Sequence, residues 1–344
     1  MTSNAELELS EYFENFRLIK LPSDTVIGEI KRIRYGNGRI YISDGNALFV
    51  FSDAGELLTC FNKTGKGPGE YTNISDFTVN GETITVLCRS LRKLIDYNHS
   101  GECVSSRDIA YWARAVSPTV EQSYFLYCGN EYGENERHKV RRIKNGHEDA
   151  TYLPIDRNQA KYLHISSEHN FYRHKECIYF FEAFNDTVYK SVDGSGIKPS
   201  FYVDYKGYNV PKSFYEEEYT DVMNFFQEFH KTSYAYGVLN FAANDRFFMF
   251  NSFYQKNIKL TVADQKGQAT NTYASVKDNV YFNGLTIPTA EFPFHADKHI
   301  FVPLEAYAVV EWRNTHIPAE QFKEKINATK EEDNPLLLVF DFKQ

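Results

Sequence analysis

Short runs of alternating apolar and polar residues recur along this chain, each bounded by turn-forming residues. Ile40, Ile84, Tyr124, Ile178, Phe247 and Ile300 each open such a run, rich in β-branched and aromatic side chains. A second apolar run follows after a short polar loop, as at Leu48–Phe51, Lys93–Tyr97, Thr187–Lys190 and Asn257–Val262. Gly55, Gly101, Gly194 and Gly267, each near an Asp, Asn or Ser, supply the positive φ that tight hairpins need. This alternation is that of half-buried antiparallel strands, and its recurrence at about 40–45 residues is that of a four-stranded propeller blade. The first two spacings fit bare blades and the last three are longer. The chain is therefore read as all-β, a six-bladed β-propeller forming one domain over residues 1–344. A β-sandwich is the alternative, and sandwiches rarely show such a period.

Each of the six starting points is read as opening an inner-blade strand, and the loop after it as one between second and third strands. Residues 15–21 form a strand with no unit of their own, and Pro335–Phe342 ends the last unit. The expectation is ring closure, with the N-terminal strand as the outer strand of the last blade, so that no sheet edge is left there. A helical insertion is expected at about 206–232, after the fourth unit, where Tyr215, Tyr219, Val222, Met223 and Phe226 have helical spacing. It would cap the channel mouth, with Glu216, Glu217, Glu218 and Asp221 exposed or facing basic loops, or it would merely cover a blade. A second insertion, at about 313–334, contains a helix over Ala319–Ile326 started by Pro318.

Between the first two units stand Gly65, Lys66, Gly67, Pro68, Gly69, Glu70 and Tyr71. They lack the G-x-x-x-x-G-K-[ST] of a phosphate loop and open no helix, so the glycines are assigned to shaping an interblade connection. This segment resembles the G-x-GPGE-[FY] signature of six-bladed, NHL-like β-propeller proteins of Bacteroidetes, many of them lipoproteins. Ser75, Asp76 and Phe77, the strand Ile84–Val86, the turn Tyr97–Glu102, and Asp333 to Leu336 continue the likeness. The resemblance implies a six-bladed ring and no established activity. It also implies export, to the periplasm or to the outer membrane through a lipid tether. The start of the chain, with no basic n-region and no apolar h-region, read literally points to the cytoplasm.

A net charge of -8 and a pI near 5.7 argue against general nucleic-acid binding. No apolar run approaches the length of a membrane span. The five cysteines, Cys60, Cys88, Cys103, Cys128 and Cys177, form no C-x-x-C pair and are read as ordinary small side chains rather than a disulfide framework. A monomer is expected.

In a propeller the loops between second and third strands share a face with the interblade connections. Loops assigned to that face carry Lys63, Lys66, Arg89, Arg92, Lys93, Arg137, Lys139, Arg141, Arg142 and Lys256, with Tyr71, Tyr132, Phe184, Phe253 and Tyr254. Such a basic, aromatic mouth suits a carboxylated or sulfated glycan or a peptide carboxylate; the alternative is ordinary solvated loop charge. The candidate ligand-binding residues are Lys66, Tyr71, Arg89, Arg92, Lys93, Tyr132, Arg137, Tyr254 and Lys256. The recurring His164, His169 and His174, and the pair His295 and His299, have no spacing that brings rings together on strands, and no H-E-x-x-H accompanies them. No cofactor is expected, although the sequence leaves open a channel calcium held by carboxylates and carbonyls, as in some six-bladed lactonases. No nucleophile elbow and no carboxylate pair with a meaningful spacing stand out. A cell-envelope recognition protein for a glycan, peptide or protein partner is the leading expectation; the alternative is a hydrolase, lyase or lactonase working at the channel mouth.

Overall fold

The computed structural model describes residues 5–119, 123–131, 133, 137–163, 169–254, 256–266, 269–289, 295–296 and 299–344. Among these residues seven sheets make a β-propeller, six of four strands and one of three. The first blade comprises Arg32–Gly36, Arg39–Ser43, Leu48–Ser52 and Leu57–Phe61, paired antiparallel in chain order. The next four blades repeat that order from Asp76–Asn80, Ala115–Pro118, Phe171–His174 and Tyr236–Ala243. The seventh runs His295–Ala296, Ile300–Leu304, Leu336–Phe342 and then the N-terminal strand Phe13–Lys20.

The blade count is seven and not six. The additional blade, sixth in the ring, joins Glu6–Glu8 in parallel to Ser275–Asp278, which pairs antiparallel with Leu285–Pro288. Its strands are three or four residues long and one comes from the far end of the chain, so no repeat of the main period marks it.

The strands opening at Ile40, Ile84, Tyr124, Ile178, Phe247 and Ile300 are the second strands of their blades, and these rather than the innermost strands carry the strong sequence pattern. The innermost are those that touch across the centre: Arg32–Gly36 against Asp76–Asn80, then Ala115–Pro118, Phe171–His174 and Tyr236–Ala243, with His295–Ala296 against Arg32–Gly36. The reason is burial. Second strands are covered on both faces and read as strong apolar runs, whereas innermost strands carry polar residues toward the channel. Asp76 shows the consequence. Its carboxylate, 1% exposed, accepts from Arg32 Nε at 3.0 Å, from its neighbour Phe77 N at 2.9 Å and from Val116 N at 2.9 Å, joining the first three blades at the axis.

Helices Lys212–Glu216 and Val222–Lys231 follow the outer strand of the fourth blade. Helices Ala306–Thr315 and Lys323–Asn327 lie between the second and third strands of the seventh. Both positions emerge on the same side of the ring as the Gly65–Tyr71 connection. The helix anticipated over Ala319–Ile326 starts only at Lys323, and the longer helix Ala306–Thr315 before it left no clear periodic signal because only part of it is buried. The anticipated continuous helix after the fourth blade is two. Asp221 breaks it by accepting from Asn224 N at 2.8 Å as an N-cap, and the buried face becomes Phe214, Tyr215, Phe225 and Phe229, leaving Met223 68% exposed.

Candidate functional site

The Gly65–Tyr71 connection is built as a latch. Tyr71 is fully buried and its ring meets Tyr97 edge-on; Tyr97 donates to the Gly69 carbonyl at 2.8 Å. Burial pushes the Tyr71 hydroxyl up to about 12. Glu70 accepts from Gly67 N at 2.8 Å. Gly69 has φ +73°, and a Cβ there would stand 2.7 Å from Cys103 Sγ, so only glycine fits. Tyr71 is thus closed to any ligand, while Lys66 on the same loop is exposed.

Four of the ten cations assigned to this side are already neutralised. Arg89 pairs with Glu131 at 2.7 Å, and Arg114 meets the same carboxylate at 2.7 Å. Arg141 pairs with Glu148, and Arg142 with Asp149. Lys139 is buried against Glu182, which also accepts from Tyr127 Oη at 3.0 Å and Asn185 Nδ2 at 3.0 Å. Burial, reinforced by the Glu182 charge, pushes the Tyr127 hydroxyl well up. Sequence reasoning counted cations and missed their partners, because each partner lies on a neighbouring loop or strand. Arg89 and Arg92 come together over Trp112, at 5.9 and 5.4 Å from its ring centre. Lys93 begins a strand beside them. Arg137 is exposed, at the edge of an open hollow with Tyr111, His138 and Glu148. Lys256 is exposed at a hairpin tip with φ +64°. Tyr132 lies outside the described residues, as does His164. His169 contacts Arg32 at 3.1 Å and His174 contacts Asp245 at 3.0 Å. Among the described residues no group of three or more His, Cys, Asp or Glu stands together as a metal site would require. All five cysteines are free thiols.

The remaining candidate, Tyr254, leads to a site that sequence reasoning missed. A cleft of about 410 Å³ opens between the outer strand of the fourth blade and the face of the fifth, lined by Phe201, Val203, Phe248, Phe250 and Tyr254 on its apolar side. Thr261, Thr272 and Ser252 bring hydroxyls to the same space, and Asp204, Lys206, Asp264 and Gln265 stand in its lining as well. Phe201 and Phe248 stack with centroids 4.4 Å apart. Tyr254 packs on Tyr205 and Tyr208. Volume and lining are those of a pre-formed ligand pocket, mostly apolar with a few polar groups. The signal that could have found it is the alternation Phe248, Phe250, Ser252, Tyr254, which sets one face of a single strand toward the cleft.

A family model described as "Domain of unknown function (DUF4934)" matches residues 1–341. The chain belongs to the DUF4934 family. No curated protein matches this DUF4934 chain. Among solved structures, it is similar to a Bacteroides fragilis protein inferred to be exported, with a TM-score of 0.78, 16% identity, and coverage of 100% of this chain and 98% of that chain. It is also similar to a DUF4221-family member from Bacteroides vulgatus, with a TM-score of 0.54, 10% identity, and coverage of 96% and 98%. Such likenesses show a shared fold, and function has to be argued from the site. No helix among the described residues of the DUF4934 propeller is long and apolar enough to cross a membrane.

Proposed function

We propose that this DUF4934 protein is a recognition protein of the cell envelope that binds a carbohydrate in the cleft between its fourth and fifth blades. The observation that carries the reading is the pairing of aromatic surface with hydroxyl groups in one 410 Å³ space. A pyranose ring has an apolar face and a polar rim. Phe201, Phe248 and Tyr254 suit the face, while Thr261, Thr272, Gln265 and the two carboxylates suit the rim. The name of the Bacteroides fragilis relative supports export. Arg89 and Arg92, held over Trp112, are assigned to a separate surface feature rather than to this pocket.

A glycan array followed by calorimetry tests the reading. A neutral oligosaccharide is expected to bind, and Phe248→Ala to weaken it about tenfold or more, as loss of a buried aromatic anchor does. Arg89→Ala is expected to leave that affinity unchanged. An array without binders, or equal affinity in Phe248→Ala, overturns the assignment.

A further inference from the structure

One wall of the interblade cleft is made largely by backbone that belongs to no sheet. Residues 201–206 line the cleft without a break, yet the outer strand of the fourth blade ends at Tyr202, and the chain then turns through Lys206 and Gly207, both with positive φ. Loop backbone of this kind opens easily unless its polar groups are tied down. Here Asn209 ties them. Its side-chain oxygen accepts from Tyr205 N at 2.8 Å, and its side-chain nitrogen donates to the Val203 carbonyl at 2.8 Å and to an Asp186 carboxylate oxygen at 2.7 Å. The Asp186 carbonyl in turn accepts from Val203 N at 2.7 Å. Tyr205, 9% exposed, extends the anchorage to the fifth blade, where its hydroxyl donates to the Gly237 carbonyl at 3.2 Å and its ring packs on Tyr254.

Asp186 is the acid of this lock. Burial pushes its carboxyl up, against the bonds from Asn209 and from the Gly237 amide, which favour the charged form. Among the described residues no cation pairs with it. The hydroxyls of Tyr202, Tyr205 and Tyr215 feel its charge. Asp204 and Lys206, on the wall itself, pair with each other at 3.7 Å, and Glu182, four residues earlier, is held by Lys139. A raised carboxyl takes up its proton above the ordinary 3.8, and the neutral acid is the weaker acceptor for Asn209.

We propose that Asn209 and Asp186 are positioning residues of the cleft, holding the 203–206 wall in its binding geometry while Asp186 is charged and releasing it when Asp186 is neutral. Affinity scales with the fraction of molecules whose wall is in place, so weaker bonds on the wall lower it without touching the sugar. The ligand is the carbohydrate proposed for this cleft, so the effect on affinity rests on that reading, whereas the lock does not.

Two measurements on the full chain test it. Hydrogen exchange, corrected for the intrinsic pH dependence of amide exchange, is followed over residues 203–206 without any sugar, and calorimetry follows the neutral oligosaccharide selected on the glycan array. From about pH 7 to about pH 4, protection at 203–206 should fall several-fold while amides of the first blade keep theirs, and affinity should fall in parallel. Asn209→Ala should be poorly protected there and bind about tenfold more weakly throughout, as for the loss of several hydrogen bonds. Asp186→Asn should show the acid behaviour already at neutral pH, with no further change on acidification. If Asn209→Ala fails to fold, Asp186→Asn decides. Protection independent of pH in the parent, unchanged affinity in Asn209→Ala, or a pH dependence that survives in Asp186→Asn and so belongs to Asp204 or Asp264, overturns the lock and leaves the carbohydrate reading standing. An array without binders overturns the carbohydrate reading, and the exchange measurement still decides the lock.

Discussion

Asp333 shows how much one side chain near the C-terminus does for the N-terminal segment. It pairs with Lys20 at 2.7 Å, and accepts from Ser23 Oγ at 2.8 Å and from Lys330 N at 2.9 Å. Burial alone would raise its carboxyl; the bonds from Lys20, Lys330 and Ser23 outweigh that and bring it down to about 2 from an ordinary 3.8. A depressed carboxylate contributes stability that is present above its unfolded value and is lost as pH falls through its folded value. The window is therefore roughly pH 4 down to pH 2. Asp333→Asn should cost about 2 kcal/mol in urea unfolding at pH 7, and the difference from the parent should vanish toward pH 2. A difference that persists at low pH would assign the residue a steric rather than an electrostatic role. The role of the glycines from Gly65 to Tyr71 in shaping an interblade connection was legible in the sequence, because short motifs preserve local geometry. The roles of Asp76 and Glu182 were not legible, since their partners come from other blades.

The two helices after the fourth blade form an element with its own small core. Phe225 is fully buried there, stacked on Tyr162 at 5.3 Å and edge-on to Phe214 at 5.4 Å. Amphipathic spacing announced a helix in this segment, yet the residues chosen for its face were only partly those buried. Tyr162 comes from the approach to the fourth blade and Phe184 from one of its loops, and together they turn the second helix so that Phe225 and Phe229 face inward. Phe225→Ala should cost about 3–5 kcal/mol locally. Hydrogen exchange should then quicken across residues 212–232 while amides of the first and second blades stay protected. Uniform loss of protection would mean that this element folds as one unit with the ring.

For the whole molecule, closure depends on the N-terminal segment twice. Phe13–Lys20 pairs along Leu336–Phe342, and Glu6–Glu8 pairs along Ser275–Lys277. A chain beginning at Pro22 would leave two strands with open edges and uncover Leu338, Phe340 and Val276. It should lose the cooperative urea transition of the full chain, and a peptide of residues 5–21 supplied in trans should restore part of it. A truncated chain with an unchanged midpoint would show that closure adds little.

The sequence by itself determined the strand periodicity, the propeller architecture and most hairpin positions, because alternation and positive-φ turns act over a few neighbouring residues. Tertiary structure alone decided the blade count, since the extra sheet pairs Glu6–Glu8 with strands from the other end of the chain. It alone decided which strands line the axis, because a strand facing a polar channel loses the apolar pattern that marks its neighbour. The cleft between the fourth and fifth blades belongs to the same class. It is a space between elements, and a space has no residues of its own until packing encloses it.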